Sequence, residues 1–467
     1  MHLVVIGNGI AGVTCARHVR KLDPAARITL VSDESDHPYS RTALMYVYMG
    51  HLTVGHTKLY EDRFWRENRI GLLRDRVERV DPEARRLYLR DGAPLTYDRL
   101  LIACGSRPRL AGWPGQDLAG VQGLYGLGDL ERMERDTAGV ERAVVVGGGL
   151  IGVEMAEMLR TRGIGVTVLV REAGYFGSVL PAEESALVGR EIRRHGVDLR
   201  LGTELKAILP DAHGRVRAVV TTAGEEIPAG FVGLTIGVEP NVDFLRGSDI
   251  EVGRGVLVDR RFETSVPGVF AAGDCAEFRE PLPERKRVEQ LWYTGRLHGA
   301  TVAHTVCGRP RAYDPGVFFN SAKFFDVEYQ TYGRIPPTLR AGEETLYWEH
   351  PDGRRSIRIT YERVAVHGRG PADTRVVGFN LLGVRYRQAV CARWIERGTS
   401  LEHVLEHLGE ANFDPEFFPQ FERSVVAAYN ERHPGRPLRL RRRRGWRRWM
   451  APNALTGADI LPGTPLP

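Results

Sequence analysis

The chain has 467 residues, of which 42% are hydrophobic and 27% are charged. These values are typical of a globular protein with about three domains of roughly 150 residues each. No run of about 18 apolar residues occurs, so the sequence predicts no membrane-spanning helix. Five cysteines are scattered without a paired spacing, which argues against a disulfide framework, a metal site or a redox dithiol: Cys15, Cys104, Cys275, Cys307 and Cys391.

The net charge of +6 is a local property. Residues 432–449 contain nine arginines and no acidic residue, and removing those nine charges leaves −3 for the rest of the chain. The body of the protein is therefore slightly acidic, and the basic character belongs to a carboxyl-terminal tail. Because the first strand-like run begins at Leu3, we expect no signal peptide and a cytoplasmic location.

The chain opens with a strand–turn–helix pattern. An apolar run at residues 3–6 is followed by G-x-G-x-x-G and then by a helix-like stretch. The first glycine permits a tight turn, the second lets the backbone approach a pyrophosphate, and the third lets the helix pack closely with its amides facing the anion. The residues that we expect to hold a dinucleotide here are Gly7, Gly9, Ile10, Ala11 and Gly12.

The second predicted strand, residues 27–31, ends in Ser-Asp-Glu. An acid at this distance from the last glycine is suited to hydrogen bonding with a ribose 2′-hydroxyl. We predict Asp33 for this role, with Glu34 as the next candidate. The alternative is a solvated carboxylate in a turn.

The same strand–turn–helix pattern occurs again 140 residues later. Residues 143–146 form an apolar run, and a second G-x-G-x-x-G and a helix-like stretch follow. Two dinucleotides in one chain indicate a flavin enzyme that is reduced by a nicotinamide. The predicted second set is Gly147, Gly149, Leu150, Ile151 and Gly152.

Three further segments carry a family resemblance. Residues 37–44 read His-Pro-Tyr-Ser-Arg-Thr-Ala-Leu, residues 97–108 read Tyr-Asp-Arg-Leu-Leu-Ile-Ala-Cys-Gly-Ser-Arg-Pro, and residues 266–276 read Val-Pro-Gly-Val-Phe-Ala-Ala-Gly-Asp-Cys-Ala. Together with the two fingerprints they resemble the FAD-dependent pyridine nucleotide-disulfide oxidoreductase superfamily. The branch is that of ferredoxin reductases, the flavin portion of assimilatory nitrite reductases and apoptosis-inducing factor. The resemblance covers residues 1–400.

The resemblance implies FAD contacts outside the first fingerprint. Residues 287–295 resemble the helix start beneath the flavin ring, and residues 320–326 resemble the aromatic segment that lines its other side. For Arg41 the alternative is a surface arginine, and for Trp292 and Phe325 it is core packing. The residues concerned are Arg41, Ala103, Gly105, Arg107, Gly273, Asp274, Glu289, Gln290, Trp292 and Phe325.

The resemblance also implies contacts with the nicotinamide. Gly237 lies in a turn like one that the family places near that ring, and Glu154 matches a glutamate near the flavin–nicotinamide contact. The lysine that often pairs with this glutamate is replaced by Tyr46, which either donates a hydrogen bond or fills space. Arg171 and Glu172 end the second strand of this half, and their opposite preferences for NADPH and NADH leave the donor open, with a lean toward NADH or dual use.

The predicted function is that of an NAD(P)H-dependent oxidoreductase with FAD. No cysteine occurs in residues 40–46, where disulfide-reducing relatives carry one, so the acceptor is expected to be external: a quinone or a small redox protein. The alternative is a redox sensor or scaffold that binds FAD and NADH, turns over slowly and uses its basic tail to bind partners.

The predicted fold is α/β, with two Rossmann-like domains and a small α/β interface domain. The FAD domain is split into residues 1–118 and 253–312, and the NAD(P) domain, residues 119–252, is inserted between them. Residues 313–411 form the interface domain, with hairpin strands at 345–350, 354–361 and 376–382 and helices at 388–397 and 401–408. Residues 412–467 form a helical extension and the arginine-rich tail.

The extension and the tail carry separate predictions. Asp414-Pro415 predicts a helix start, with one apolar face formed by Phe417, Phe421, Val425 and Ala428. For residues 436–450, with Trp446 and Trp449, we keep open an anionic membrane surface, an acidic electron carrier and a solvated tail. We do not favour nucleic acid. We also keep open a homodimer and a peripheral location on the inner face of the membrane.

Overall fold

The computed structural model describes residues 1–364 and 373–441. The chain divides into two compact units. The first contains residues 1–176 and 192–315, and the second contains residues 177–191 together with the chain from residue 316 onward. Most of the predicted basic tail, residues 442–450, lies outside the described residues.

Ten α-helices occur in the described ranges. Their bounds, in chain order, are α1 Ile10–Leu22, α2 Leu44–Tyr48, α3 Asp62–Glu67, α4 Leu127–Asp136, α5 Leu150–Thr161, α6 Ala182–Arg194, α7 Trp292–Val306, α8 Gln388–Glu396, α9 Leu401–Glu406 and α10 Glu422–Arg432. Within this part of the chain, none of the helices has the length and apolar character needed to span a bilayer.

The strands of the first unit are β1 His2–Ile6, β2 Arg27–Ser32, β3 Ile70–Arg74, β4 Val77–Asp81, β5 Arg86–Leu89, β6 Leu95–Thr96, β7 Arg99–Ile102, β8 Ser106–Pro108, β9 Val121–Gln122, β10 Arg142–Val146, β11 Gly165–Val170, β12 Asp198–Leu201, β13 Leu205–Pro210, β14 Val216–Thr221, β15 Glu226–Pro228, β16 Phe231–Leu234, β17 Val238–Pro240, β18 Val256–Val258, β19 Val269–Ala271 and β20 Ala276–Phe278. Those of the second unit are β21 Phe319–Phe324, β22 Val327–Gly333, β23 Glu343–Glu349, β24 Ser356–Val364 and β25 Asp373–Leu382.

Two parallel five-stranded sheets form the frame of the first unit. Their orders are β19-β7-β1-β2-β3 and β12-β11-β10-β16-β9. A parallel sheet is covered on both faces, so its strands read as continuous apolar runs. Leu3, Val4 and Val5 in β1 and Val144 and Val145 in β10 are fully buried, as this rule requires. The predicted α/β fold class is confirmed, while the predicted domain boundaries stay predictions.

Both glycine fingerprints lie where a parallel strand gives way to a helix. Gly7 to Gly9 join β1 to α1, and Gly147 to Gly149 join β10 to α5. Each of these strands is the middle strand of its sheet. The carboxyl edge of a central parallel strand is where open α/β sheets bind ligands.

The second unit contains an antiparallel sheet of order β21-β22-β25-β24-β23. The predicted strands at 345–350, 354–361 and 376–382 overlap β23, β24 and β25, and the predicted helices overlap α8 and α9. Val390, Trp394, Val404 and Leu405 pack with the buried residues of this sheet in one core.

Residues 177–191 belong to the second unit, although they lie between β11 and β12 in the chain. Glu184, in α6, is fully buried, and its carboxylate oxygens accept hydrogen bonds from Arg358 of β24 at 2.6 and 2.7 Å. Glu183 accepts a further bond from Arg358 at 2.7 Å. A buried arginine needs paired carboxylates, so this contact ties the segment to the sheet.

The prediction of a helix from Asp414 is wrong. The chain forms turns at residues 415–418, helix α10 begins at Glu422, and Phe417 is 76% exposed rather than packed. The physical reason is Pro419. In a helix its nitrogen would have to donate to the carbonyl of Pro415, and proline has no N–H. Val425 is buried as predicted.

Candidate functional site

A cavity of about 1010 Å³ lies in the first unit at the carboxyl ends of β1 and β7. Its volume is at the upper end of the roughly 300–1,000 Å³ that is usual for a ligand site. The predicted site residues that line it are Gly7, Gly9, Ile10, Ala11, Asp33, Glu34, Arg41, Ala103, Gly105, Arg107, Ile151, Glu154, Gly273, Asp274, Gln290 and Trp292. The cavity thus brings together residues of both fingerprints and of all three resemblance segments.

Two positions of the first fingerprint, Gly7 and Gly12, leave no room for a side chain. Gly7 has a φ of +107°, and a Cβ there would lie 2.2 Å from the carbonyl oxygen of Ala103. A Cβ on Gly12 would lie 2.3 Å from the carbonyl oxygen of Gly7. Helix α1 therefore starts directly against the strand, and its free amides point at the cavity, where they can bind a phosphate.

A second helix start faces the same cavity. Helix α7 begins at Trp292 and packs closely on α1, since a Cβ on Gly299 would lie 2.3 Å from the carbonyl oxygen of Ala11. The partial positive charges of both helix N-termini thus meet at one wall. A cavity that is lined by a glycine turn and two helix starts suits the pyrophosphate of FAD.

The two candidate ribose acids have different partners. The carboxylate of Glu34 accepts hydrogen bonds from Arg41 at 2.7 and 3.1 Å, from the hydroxyl of Tyr39 and from the N–H of Leu127 at 2.9 Å. Asp33 is half-exposed, and its carboxylate lies 3.9 Å from Arg76. Both carboxylates line the cavity, but most of the hydrogen-bonding capacity of Glu34 is already used within the protein.

The electrostatics of Glu34 follow from these contacts. Burial by itself would raise the pKa of this carboxyl, but the Arg41 charge and the hydrogen bonds outweigh burial and hold the pKa below its ordinary value. A Cβ on Gly126 would lie 2.2 Å from the Glu34 carboxylate, so the glycine is what gives the carboxylate room. The Glu34–Arg41 pair is therefore ionised and fixed.

Tyr125 is a cavity residue that the motifs did not predict. Its hydroxyl donates to Asp274 at 3.2 Å and accepts the N–H of Ser106 at 2.8 Å, and Arg41 lies over its ring at 4.4 Å. Burial raises the pKa of Asp274, and the bond from Tyr125 opposes that rise. Tyr125 thus joins two predicted FAD contacts. It lies in a loop without a motif, so only the structure identifies it.

The second fingerprint repeats the geometry of the first. Gly147 has a φ of +127°, and a Cβ there would lie 2.5 Å from the carbonyl oxygen of Thr235. A Cβ on Gly152 would lie 2.6 Å from the carbonyl oxygen of Gly147, while the hydroxyl of Tyr175 donates to the carbonyl of Gly149 at 2.8 Å. Helix α5, which starts at Leu150, turns Ile151 and Glu154 toward the cavity.

Several predicted residues lie outside the cavity lining. Arg171 and Glu172 pair with each other at 2.9 Å at the end of β11, and Gly237, with a φ of +109°, accepts the N–H of Arg109. Tyr46, in α2, stacks on His51, and Phe325 is buried in the second unit. The set outside the lining is Gly12, Tyr46, Gly147, Gly149, Leu150, Gly152, Arg171, Glu172, Gly237, Glu289 and Phe325.

Arg107 and Glu289 have protein partners. Arg107 pairs with Glu239 at 2.9 Å and with Asp243 at 2.6 Å at the cavity wall. Glu289 is 7% exposed and accepts a hydrogen bond from the hydroxyl of Tyr313 at 3.1 Å. Its neighbour Gln290 does line the cavity, and its amide donates to the hydroxyl of Ser106 at 2.8 Å.

The fold and this cavity define a dinucleotide-binding oxidoreductase with two Rossmann-like halves. The family described as pyridine nucleotide-disulphide oxidoreductase matches residues 1–302. The chain belongs to this family, and the predicted class, an FAD-dependent oxidoreductase that uses NADH or NADPH, is confirmed.

Several of the similar proteins are ferredoxin reductases. The chain is 36% identical over 310 residues to the ferredoxin–NAD(+) reductase component of a biphenyl dioxygenase system from Paraburkholderia xenovorans, covering 66% of this chain and 75% of that protein. It is 30% identical over 402 residues to the corresponding component of a p-cumate 2,3-dioxygenase system from Pseudomonas putida, covering 86% and 94%. The structure resembles the ferredoxin reductase of the CYP199A2 system from Rhodopseudomonas palustris with a TM-score of 0.72 and 25% identity, covering 82% of this chain and 91% of that one.

Proposed function

We propose that the chain binds FAD in this cavity, takes reducing equivalents from NADH or NADPH, and passes electrons to a small ferredoxin-type redox protein. The observation that carries the proposal is the shared cavity. Its wall contains the first fingerprint, the Gly273–Asp274 turn and, from the second fingerprint helix, Ile151 and Glu154. A flavin and a nicotinamide that are held by these elements would meet in one space.

FAD, when bound, can take an electron pair from the nicotinamide donor and release single electrons to the acceptor. The chain supplies position and charge. The amides at the start of α1 and α7 would bind the pyrophosphate, and Asp33 and Asp274 would accept hydrogen bonds from hydroxyl groups. Arg41 lies beside Tyr125 at the wall. Glu154, on the helix of the second fingerprint, would lie on the nicotinamide side and orient the reacting face.

The donor depends on the end of β11. Arg171 would attract the 2′-phosphate of NADPH, and Glu172 would bind the free 2′-hydroxyl of NADH. Because the two side chains form an ion pair, each charge is opposed by the other. This balance supports NADH or use of both donors.

The acceptor is inferred from the named relatives, which are components of ferredoxin-dependent oxygenase systems. A quinone was the other predicted acceptor, and no described feature favours it. The predicted homodimer and the predicted contact of residues 436–450 with an anionic membrane also stay predictions.

The test is an anaerobic stopped-flow measurement at the flavin absorbance near 450 nm. We expect rapid bleaching by NADH, and then rapid reoxidation when an oxidised [2Fe–2S] ferredoxin is added. Reoxidation only by a ubiquinone analogue would move the acceptor to quinones. Slow bleaching with a persistent long-wavelength band would support the sensor or scaffold instead.

A further inference from the structure

His298 is a buried titratable residue behind the cavity wall. It lies in α7, is 0% exposed, and is surrounded by the rings of Phe262, Phe278 and Tyr313 at centroid distances of 4.8, 5.5 and 4.6 Å. It does not line the cavity, and no sequence motif includes it in a role. A histidine that is enclosed so completely can find partners for its ring nitrogens only within the protein.

One ring nitrogen of His298 holds the backbone of the predicted second FAD motif. The N–H of Gly273 donates to Nδ1 at 3.2 Å. Because Nδ1 is the acceptor, the ring proton of the neutral imidazole must lie on Nε2. The Nε2 atom faces a carboxylate oxygen of Glu289 at 3.5 Å. The Gly273 contact therefore selects one tautomer of a neutral ring, and the Glu289 carboxylate lies on the side of its ring proton without a well-formed hydrogen bond.

The surrounding charges agree with this assignment. Glu289 and Arg285 are the charged side chains near the ring, and Arg285 lies 3.5 Å from the Glu289 carboxylate. The hydroxyl of Tyr313 donates to the same carboxylate. Burial lowers the pKa of His298 and Glu289 opposes this effect, with the net shift downward, so the ring stays neutral. A second ring proton would also point directly at the Gly273 N–H.

The turn that His298 holds is sterically demanding. Gly273 has a φ of +79°, and a Cβ there would lie 2.9 Å from the Cβ of Ala11 in α1. The next residue, Asp274, sends its carboxylate to the cavity wall, where it meets Tyr125. A shift of the Gly273 amide would therefore change both the packing on α1 and the direction of Asp274.

We propose that His298, oriented by Glu289, is a positioning residue for FAD. Its Nδ1 atom fixes the Gly273–Asp274 turn in the shape that receives the cofactor. The inference rests on the proposed placement of FAD in this cavity, but it does not depend on the donor or the acceptor.

Two substitutions distinguish the contributions of the two ring nitrogens. In His298→Asn, the side-chain oxygen can take the place of Nδ1 and accept the Gly273 N–H. In His298→Gln, the amide can take the place of Nε2 and donate to Glu289, but it provides no acceptor at Gly273. Both variants replace the ring with an amide, so each is the matched control for the other.

The measurements are the FAD dissociation constant, the flavin absorbance maxima and the flavin midpoint potential of the full chain. We expect His298→Gln to weaken FAD binding by about ten-fold and to shift the spectrum and the potential, because a buried amide loses its acceptor. We expect His298→Asn to bind FAD within about three-fold of the wild type. Equal FAD binding by all three proteins, or equal damage in both variants, would overturn the inference.

A measurement on the wild type guards against variants that fail to fold. The ¹⁵N shifts of His298 in the flavin-loaded protein should report the Nε2–H tautomer, and an Nδ1–H tautomer would refute the proposed contact. If the wild-type chain retains no FAD, the proposed function fails rather than this inference alone.

Discussion

The two dinucleotide-binding halves each place an acid and an arginine after the second strand of a parallel sheet, but in different surroundings. The side chains of Glu34 and Arg41 are 23% and 29% exposed, and Tyr39 and the Leu127 amide complete their hydrogen bonds. Those of Glu172 and Arg171 are 35% and 72% exposed. The first pair is enclosed by other elements of the fold, whereas the second is more open to solvent.

This difference matches two kinds of ligand. A pair that is enclosed by other elements costs free energy to break, so it suits a cofactor that stays bound. An exposed pair contributes little to stability, so exchange of a substrate can open and close it at small cost. The predictions that follow test whether the first half is rigid and the second adaptable.

The largest effect is expected at Gly7. A Cβ at Gly7 would lie 2.2 Å from the carbonyl oxygen of Ala103 at a positive φ, so Gly7→Ala should cost about 3 kcal/mol of unfolding free energy. Gly9→Ala is the control, because a Cβ at Gly9 has no atom of the described residues within 4 Å. It should leave the unfolding free energy within about 0.5 kcal/mol and still lower the FAD content. Urea unfolding and flavin absorbance measure both, and a Gly9→Ala protein with full FAD would contradict the assigned phosphate site.

The Glu34–Arg41 pair should come next. Glu34→Gln should cost about 1–3 kcal/mol at pH 7, since Arg41 loses its charged acceptor. The folded pKa of Glu34 is depressed, so its contribution is present above the unfolded value of roughly 4.3 and is lost as the pH falls through the folded pKa. Urea unfolding of wild type and variant should therefore converge at acidic pH. Glu172→Gln should change the unfolding free energy by less than about 0.5 kcal/mol. An equal loss of stability in both variants would show that the two ion pairs do not differ.

Tyr125→Phe should have an intermediate effect. It removes the hydroxyl that bonds Asp274 and the Ser106 amide but keeps the ring beneath Arg41. FAD binding should weaken by about 1–2 kcal/mol with a shifted flavin spectrum. Tyr175→Phe removes the matching hydroxyl beside Gly149 in the other half, and it should raise the KM for the nicotinamide while FAD stays bound. Flavin loss from both variants would show that the halves are not independent.

The smallest effect on stability is expected at Arg171. Arg171→Ala should leave the unfolding free energy within about 0.5 kcal/mol, because the side chain is exposed. If Arg171 binds the 2′-phosphate, the KM for NADPH should rise by about ten-fold and that for NADH should change little. Steady-state kinetics with both donors is the measurement. Equal changes for the two donors would refute the role of Arg171 in phosphate recognition.

Local patterns predicted the frame of the molecule. An apolar run before G-x-G-x-x-G favours a strand, a tight turn and a helix, and both copies adopt this structure. The distant partners were not predictable. Tyr125 meets Asp274 across 149 residues, and Leu127 meets Glu34 across 93. No spacing rule covers such distances. The helix expected from Asp414 failed for a local reason, since Pro419 outweighs the apolar spacing.

The Glu184–Arg358 contact also sets an order of events during synthesis. Arg358 leaves the ribosome 174 residues after the acid that neutralises it. The residues from 316 onward therefore do not supply the two glutamates that neutralise Arg358 when the sheet buries it. A fragment that begins at residue 316 would lack Glu183 and Glu184, so we expect it to aggregate unless a peptide of residues 177–191 is supplied in trans.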